Sequence, residues 1–227
     1  MSLTVLIPCY NEAKTLQTTL PQIKEELQPE TILIVDDGST DKTRRVAKEH
    51  GCVLTPKRSN KGKGYSVKQG LQLVETKYAL LTDADLSTPI TQYHSLKKHI
   101  DTYDVVIGSR GLPRSQEKTT LTKKLGGGIG NILIRTTLGL SYKDTQCGFK
   151  LFTQEAAKKI SGWLTVNGFG YDFEALLIAK RQGLTVKETP VKWVLDEDSA
   201  VTPKDYFQTL KELYIVKKND LDNKYNI

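Results

Sequence analysis

Apolar residues along the first half of the chain form two alternating patterns. Short apolar runs predict β-strands, and apolar residues spaced three or four positions apart predict helices. The predicted strands are Leu3–Pro8, Thr31–Val35, Cys52–Thr55, Tyr78–Thr82 and Asp104–Gly108. The predicted helices are Glu12–Leu27, Thr40–His50 (capped by Ser39 or Thr40), Gly64–Val74 and Pro89–Ile100. This alternation predicts an α/β fold with a mostly parallel sheet and helices on both faces.

The second half of the chain has a less regular pattern. Its predicted elements are a glycine-containing segment Lys118–Leu140, an extended segment Asp144–Phe152, a helix Tyr171–Gln182, a strand Thr185–Leu195 and a helix Asp205–Lys218. Pro190 inside the strand favours a sheet edge or a bend. The last helix is amphipathic, with Tyr206, Leu210, Leu213 and Val216 predicted on one side. No repeat or low-complexity linker divides the chain, so we expect a single domain over 1–227.

Composition and charge narrow the possible partners. The 227 residues carry a net charge of +7, which favours anionic partners such as nucleotide phosphates or acidic lipid headgroups. The basic residues are dispersed and few aromatic residues lie near them, so we expect no nucleic-acid partner. Cys9, Cys52 and Cys147 lack metal-ligand spacing and are interpreted as reduced thiols of a cytoplasmic protein. The sequence has no signal-peptide pattern and no apolar run long enough for a membrane span.

The segment Asp83-Ala84-Asp85 follows the fourth predicted strand directly. Residues two apart on a strand point to the same side, so both carboxylates are expected to converge. Two carboxylates at the carboxyl end of an α/β strand suit a hard cation such as Mg2+ or Mn2+, which takes further ligands from substrate phosphates. The segment therefore predicts a metal–diphosphate site. Taken alone, an Asp-x-Asp segment is also compatible with a solvated turn.

Three other polar segments follow predicted strands or open helices at the same edge of the sheet. Tyr10 offers a ring face to a base, and Asp37 can accept a hydrogen bond from a base or a ribose hydroxyl. Asn60–Gly64 places backbone N–H groups and Lys63 at a helix N-terminus, an arrangement that favours an anion. Each segment could be an ordinary capped turn, but four such segments at one sheet edge predict a nucleotide-binding site.

Taken together, these motifs resemble the inverting glycosyltransferases of family 2. The motifs that carry the resemblance are Pro-x-Tyr-Asn-Glu, Asp-Asp-Gly-Ser, Asn-x-Gly-Lys-Gly, Asp-Ala-Asp, Gly108-Ser109-Arg110 and Asp144-Thr-Gln-Cys-Gly-Phe-Lys-Leu-Phe152. They are most similar to the dolichyl-phosphate glucosyltransferase and mannosyltransferase branch, with the last motif closer to the glucosyl enzymes. The resemblance implies a GT-A fold, a Rossmann-like nucleotide-diphospho-sugar-binding domain. It also implies a nucleotide-sugar-binding half over 1–110 and an acceptor half over 111–227.

The resemblance also implies residue roles. The nucleoside-contacting positions are Pro8, Tyr10, Glu12, Val35 and Asp37. The metal and diphosphate site is matched by Asp83, Ala84 and Asp85, with Asp83 and Asp85 as metal ligands, and Lys63 is expected to contact the donor. Arg110 matches an arginine near the reacting phosphates, where its planar set of donors suits a phosphate oxygen. Asp172 and Glu174 match the region where hydroxyl-directed relatives carry an acidic catalytic base.

The implied reaction moves a hexose with inversion from a nucleotide-diphospho-sugar to a polyprenyl or dolichyl phosphate. UDP-glucose is the favoured donor and GDP-mannose the alternative. Two other interpretations remain open: transfer to a glycan or other hydroxyl acceptor, and a degenerate protein that binds nucleotide sugars without turnover. The second is suggested by Ala200, which stands where the lipid-phosphate branch commonly has a lysine. The segment Lys123–Leu140 is either an interfacial helix at a membrane surface or a core helix with a solvated end.

Overall fold

The strand and helix pattern is realised in a computed structural model that describes residues 2–56, 59–118, 121–194 and 203–226. The strands are β1 Leu3–Cys9, β2 Thr31–Asp36, β3 Val53–Leu54, β4 Tyr78–Leu81, β5 Val105–Ser109, β6 Gln116–Lys118, β7 Lys150–Thr153, β8 Val186–Pro190 and β9 Lys192–Val194. The helices are α1 Ala13–Leu27, α2 Thr43–Glu49, α3 Lys63–Gln72, α4 Tyr93–Lys97, α5 Leu121–Leu138, α6 Gln154–Trp163, α7 Tyr171–Arg181 and α8 Pro203–Leu221.

Seven strands form one sheet in the order β3-β2-β1-β4-β7-β5-β8. All neighbours pair in parallel except β7, which runs antiparallel to both β4 and β5. The expected mostly parallel sheet is therefore confirmed. Because β7 runs in the opposite direction, its first residue, Lys150, lies beside Leu81 and Ile107 near the carboxyl ends of β4 and β5. The strands β6 and β9 form a separate parallel pair.

Alternate residues of the central strands enter two separate cores, one on each face of the sheet. Val5 and Ile7 pack with apolar residues of α1, α2 and α4, whereas Leu6 packs with residues of α3 and α5–α8. Strands that are buried on both faces read as continuous apolar runs, which is why the sequence pattern located β1, β2 and β4 well.

Most predicted elements of the first half are confirmed to within a few residues, with two corrections. The predicted helix Pro89–Ile100 is a single 3-10 turn, Ile90–Gln92, followed by the short helix α4. The predicted cap of α2 is wrong, because the helix begins at Thr43 and Lys42 precedes it. Ser39 and Thr40 instead bond to Asn11 in the loop after β1. A tertiary contact thus uses the polar groups expected to cap the helix.

The second half departs further from its predicted pattern. Helix α6 had no predicted counterpart, and only the end of the predicted extended segment Asp144–Phe152 is a strand. The predicted strand Thr185–Leu195 is divided at Val191 into β8 and β9, and β8 lies at the sheet edge as Pro190 suggested. In α8, Leu213 and Val216 are buried as predicted. Tyr206 and Leu210 are exposed, so the predicted single apolar side is wrong for these two residues.

The structure also shows the state of the cysteines and the length and polarity of the helices. Cys9, Cys52 and Cys147 are all free thiols, and Cys9 and Cys147 are buried in the core on the α1 side of the sheet. Burial raises the pKa of both buried thiols above the ordinary cysteine value, which favours their neutral form. In the described part of the chain, every helix is too short or too polar to cross a bilayer.

Candidate active site

Polar residues of the first half collect at the carboxyl edge of the sheet, where β1, β2, β4 and β5 end. The chain passes from β1 to β2 and β3 on one side and then returns to β4 on the other side of β1. Open α/β sheets bind ligands at such a reversal of strand order. The antiparallel β7 adds its own start to the same edge, so Gly148 and Lys150 join the side chains that follow the parallel strands.

The loops after β1 and β2 are held together by hydrogen bonds. Asn11 has a left-handed backbone conformation (φ 58°), and its Oδ1 accepts a hydrogen bond from Thr40 N at 2.8 Å. The backbone N–H of Glu12 donates to Thr43 Oγ1 at 2.8 Å. Tyr10 directly precedes Asn11 and Glu12, exposes 48% of its surface and presents a ring to solvent. The first loop is therefore rigid around one accessible aromatic ring.

The remaining positions that are predicted to contact the nucleoside differ in accessibility. Pro8 is half-buried and lies beside Val35 in the β1–β2 register. The side chain of Val35 is buried in the core that contains Leu6, and a methyl group added at Gly70 would lie 2.9 Å from Val35 Cγ2. Ala84 is also buried. Side-chain contacts of Val35 and Ala84 with a nucleotide are therefore not supported, which leaves their backbone atoms.

The carboxylate of Asp37 is already bound by the protein. Its two oxygens accept hydrogen bonds from Lys61 N at 2.8 Å and from Gly62 N at 2.7 Å. The backbone N–H groups of Gly64 and Tyr65 donate to a carbonyl of the loop before α7. The prediction that these N–H groups form a cradle for an external anion is therefore wrong, because internal acceptors use four of them. Asp37 fixes the loop that carries Lys63.

Asp83 and Asp85 lie in a turn beyond the end of β4, not on the strand itself. The expected reason for their convergence, strand alternation, is therefore wrong. The turn is closed by Leu86, whose φ of 52° is left-handed, and both oxygens of Asp85 accept hydrogen bonds from Ser87. Asp83 nevertheless lies close enough to Asp85 to influence its ionisation. Both side chains are only half-buried.

The two carboxyl groups differ in their ionisation. Burial raises the pKa of Asp85, and repulsion from Asp83 adds to this effect. Burial also opposes ionisation of Asp83, but Lys63, Lys150 and Arg110 overcome it and lower the pKa of Asp83. The lowered pKa of Asp83 favours its ionised form. The raised pKa of Asp85 means that a cation bound nearby would favour ionisation of this carboxyl group.

Three cationic side chains surround Asp83. Lys63 Nζ lies 2.6 Å from Asp83 Oδ1; burial opposes its charge, but the attraction of Asp83 raises the pKa of Lys63. The guanidinium of Arg110 binds both oxygens of Asp144, with distances of 2.7 Å from Nε and 3.0 Å from Nη2. Its Cζ also lies 5.4 Å from the centre of the Trp193 ring. Arg110 is therefore held in one orientation by Asp144, whose own pKa is lowered by Arg110 against the effect of burial.

Lys150 is the residue of this cluster to which the sequence assigned no role. Its Nζ is almost fully buried, forms an ion pair with Asp172 and donates to the carbonyl of Cys147 at 2.5 Å. Asp172 belongs to the same electrostatic cluster, because it also acts on Lys63. A lysine in a predicted extended segment gave no sign that β7 would run antiparallel and bring it to this edge. The signal that could have indicated a role for Lys150 was Asp172, the acidic residue with which it forms an ion pair.

The structure places Glu174 away from the cluster. Glu174 is fully buried in α7 and accepts hydrogen bonds from the backbone of Thr165 and Val166 and from the hydroxyl of Tyr225 at 2.7 Å. Burial raises the pKa of Glu174, although these hydrogen bonds favour its ionised form. Its oxygens organise the loop before α7. This placement does not support the expected role of Glu174 as a catalytic base.

The residues at the turn fit a hard divalent cation. Asp83 and Asp85 supply carboxylate oxygens, and no larger group of His, Cys, Asp or Glu with a metal-binding arrangement occurs among the described residues. A pair of carboxylates suits Mg2+ or Mn2+ that completes its coordination with phosphate oxygens and water. Gly148 faces the turn, since a methyl group there would lie 2.9 Å from Asp83 Oδ2. The glycine thus keeps the carboxylate accessible.

Parts of two sequence predictions fall outside this description. Ala200 lies outside the described residues, and the side chains at the start of the segment Lys123–Leu140, up to residue 126, are likewise not described. The Val191–Trp193 segment before Ala200 is described, and Trp193 lies against Arg110.

Comparison with known proteins gives the family. The family model described as Glycosyl transferase family 2 matches residues 4–161. The chain belongs to glycosyl transferase family 2. The matched region contains Asp83, Asp85, Lys63, Arg110 and Lys150, whereas α7 and α8 lie beyond it. The resemblance to family 2 that the sequence motifs indicated is therefore confirmed.

Three similar proteins can be compared with this chain, and the names of two of them state an activity. A dolichyl-phosphate beta-glucosyltransferase of Trichomonas vaginalis is 35% identical over 84% of this chain and 65% of its own length. The protein of the same name from Saccharomyces cerevisiae is 30% identical over 95% of this chain and 74% of its own length. An uncharacterized protein of Methanocaldococcus jannaschii is 33% identical over 86% of this chain and 82% of its own. The chain thus spans just under two thirds of the Trichomonas relative.

Solved structures support the fold. Glucosyl-3-phosphoglycerate synthase from Mycobacterium tuberculosis, in complex with Mn2+, UDP-glucose and phosphoglyceric acid, superposes with a TM-score of 0.71. The match covers 96% of this chain and 80% of the synthase at 15% identity. At this identity the likeness establishes the architecture. The expected GT-A fold is confirmed.

Proposed function

We propose that this family 2 protein transfers glucose from UDP-glucose to a polyprenyl (dolichyl-type) phosphate, with inversion at the anomeric carbon. The bond from that carbon to the donor β-phosphate oxygen breaks, UDP leaves, and a bond to an acceptor phosphate oxygen forms. The names of the Trichomonas and yeast relatives support glucose and a dolichyl phosphate. The complex of the synthase supports UDP-glucose and Mn2+ as donor and metal.

We infer the acceptor class from the burial of the two predicted base residues. Asp172 is paired with Lys150, and Glu174 is fully enclosed by donors, so neither offers a carboxylate to an incoming hydroxyl group. A sugar hydroxyl would need such a base. A phosphate is already anionic at pH 7 and needs only to be positioned. The arrangement therefore supports a phosphate acceptor over a glycan hydroxyl.

The cluster has a defined part in the proposed reaction. Asp85, assisted by Asp83, would hold Mg2+ or Mn2+, which when bound stabilises the negative charge of the leaving nucleoside diphosphate. Lys63 and Arg110 would bind phosphate oxygens, with Arg110 held in place by Asp144. Tyr10 would stack on the base. The buried Lys150 would partly neutralise the negative charge of Asp83. We also propose the division into a donor-binding half, 1–110, and an acceptor half, 111–227, with Lys150 shared between their sites.

The test is a direct transfer assay. The protein is incubated with Mn2+, UDP-glucose or GDP-mannose, and one of three acceptors: undecaprenyl phosphate, dolichyl phosphate or a disaccharide. We expect a glucosylated prenyl phosphate, and NMR should show that its anomeric configuration is inverted relative to the donor. Glucosylation of the disaccharide alone would reject the phosphate acceptor. Binding of UDP-glucose by calorimetry without turnover on any acceptor would support the degenerate alternative.

A further inference from the structure

Helix α8 has an exposed apolar face in addition to its buried one. At about 100° per residue, five exposed apolar residues fall within an arc of about 100°. These residues are Tyr206, Phe207, Leu210, Tyr214 and Leu221. A sixth exposed apolar residue described on the helix, Ile215, lies about 80° beyond the arc. The buried residues Leu213 and Val216 lie outside this arc and join the core. We call the five exposed residues the α8 stripe. A surface helix with two apolar faces requires a second apolar environment beyond the protein core.

The exposed charged side chains described on α8 itself have one sign, although the exposed Asp222 follows the helix directly. Lys211 and Lys218 are exposed beside the stripe, and Lys211 Nζ lies 4.7 Å from the centre of the Phe207 ring. The two acidic residues among the described side chains of the helix, Glu212 and Asp220, are buried. The exposed residues described on α8 between 206 and 221 are therefore apolar or cationic, apart from Gln208. That combination complements a bilayer with anionic headgroups.

The neighbouring helix α5 repeats this combination. Ile129, Ile132 and Leu133 are exposed on it, whereas Ile134 and Leu138 enter the core. Its sequence contains no acidic residue. Helices α5 and α8 contact each other, so the two apolar surfaces belong to one region of the molecule. The buried face of α5 agrees with the core-helix interpretation of this segment, and its exposed face is the surface that the interfacial interpretation would use.

The inner side of α8 holds the loop that leads to the candidate site. The two oxygens of Glu212 accept hydrogen bonds from Gly168 N and Gly170 N, each at 2.8 Å. In the same loop, the ring centre of Phe169 lies 5.9 Å from Lys63 Nζ. One helix thus separates the α8 stripe from the lysine that pairs with Asp83. A surface bound to the stripe would lie close to the reacting phosphates.

We propose that the α8 stripe, with the exposed face of α5, binds the surface of an anionic lipid bilayer. This inference rests on the proposed function, because the proposed reaction explains why the protein would use a phosphate presented at a bilayer. A second copy of the chain is the other possible occupant. A symmetric dimer would bring the same lysine-rich face of each copy together, and this repulsion disfavours it. An anionic bilayer gains from both the apolar and the charged residues.

Vesicle flotation without donor or acceptor tests the inference independently of turnover. Wild-type protein is mixed with vesicles of phosphatidylcholine alone or of phosphatidylcholine and phosphatidylglycerol in equal parts, at low and high salt. We expect binding to the anionic vesicles at low salt. The double variant Phe207→Gln/Leu210→Gln should bind about tenfold more weakly. Lys211→Gln and Lys218→Gln should each weaken binding about fivefold, with a smaller salt dependence.

A matched control separates the stripe from general surface hydrophobicity. Val53 and Leu73 are exposed to a similar degree at a distance from α8, and Val53→Gln/Leu73→Gln should bind vesicles like the wild type. Thermal unfolding verifies that each variant is folded. Absence of vesicle binding by the wild type, or an equal loss in the control, would overturn the inference. So would sedimentation showing a wild-type dimer that only the α8 variant dissociates.

The outcome for docking is distinguishable from the outcome for the proposed function. Transfer to a short-chain, water-soluble prenyl phosphate measures the reaction without a bilayer, and the α8 double variant should retain it. Transfer without vesicle binding rejects docking alone. Vesicle binding without transfer supports docking and rejects the proposed function.

Discussion

Two acid-x-acid segments of this chain have opposite surroundings. Asp83-Ala84-Asp85 lies in a turn after β4, with both carboxylates half-exposed among cations. Asp172-Phe173-Glu174 lies in the first turns of α7, with both carboxylates buried. In the helix, residues two apart point about 200° away from each other. Asp172 therefore meets Lys150, while Glu174 meets the loop at Thr165.

The same spacing of two acidic residues therefore has a different chemical use in a turn and in a helix. The turn leaves carboxylate oxygens accessible to a ligand, since Gly148 has no side chain to cover Asp83. The helix instead uses its two acids to hold the surrounding protein. If this comparison is right, substitutions in the turn change turnover, and substitutions around α7 change stability. Four experiments test it, in order of decreasing expected effect.

The largest effect is expected for Asp85→Asn. It removes one of the two carboxylates proposed to hold the metal, and we expect kcat to fall about 10³-fold, equivalent to about 4 kcal/mol in the barrier. The melting temperature should change little, because the hydrogen bonds of Asp85 within the described part of the chain are to Ser87 of the same turn. The assay is glucose transfer at saturating Mn2+. Glu49→Gln, an exposed substitution in an ion pair with Arg45, is the control and should retain full activity. Retention of a tenth of the turnover by Asp85→Asn would remove the turn from the reaction centre.

Lys150→Met tests the buried side of the comparison. It leaves Asp172 buried without its cation, and we expect a loss of about 3 kcal/mol in the free energy of unfolding by urea. Lys159→Met provides a matched control, because Lys159 forms an exposed ion pair with Glu155 on α6 and should change stability little. The second variant Lys150→Met/Asp172→Asn should recover part of the loss. Equal stability of the Lys150 and Lys159 variants would contradict the buried pair.

Asp144→Asn gives a pH-dependent effect. The folded-state pKa of Asp144 is lowered by Arg110, so the ion pair stabilises the protein above the ordinary aspartate pKa and loses this contribution as pH falls through the lowered value. We expect a loss of about 2 kcal/mol at pH 7, below the range for fully buried pairs because Arg110 is partly exposed. At pH 3 the difference from wild type should shrink. Urea unfolding at both pH values measures it, and a pH-independent difference would be the contrary result.

The smallest effect is expected for Glu174→Gln. The amide keeps one acceptor but turns a donor toward other donors, and we expect about 1–2 kcal/mol lower stability with kcat within a few-fold of wild type. A general base in the same position would lower kcat at least about 10²-fold. Turnover at saturating substrates, together with thermal unfolding, separates the two. Asp172→Asn is tested in the same way, and a large loss of kcat in either variant would restore the hydroxyl-acceptor hypothesis.

Elements with a strong local signal were predictable, and elements defined by partners were not. Strands β1, β2 and β4 are buried on both faces and therefore appear as apolar runs in the sequence. The cap of α2 was mispredicted because Asn11, distant in sequence, binds Ser39 and Thr40. Lys150 could not be assigned because the direction of β7 depends on which strands it pairs with. The accessibility of Val35 likewise depends on packing against Gly70.

The strand and helix alternation, the family and the placement of acidic and basic residues at one edge of the sheet were all predictable without the structure. These features follow from local periodicity and from motifs read in order along the chain. The partners of the charged groups are visible only in the folded structure: Asp37 accepts hydrogen bonds from the backbone of Lys61 and Gly62, Lys63 pairs with Asp83, and Lys150 pairs with Asp172. Charge pairing depends on distances between residues that are remote in sequence and on their burial, and neither quantity is encoded in spacing along the chain.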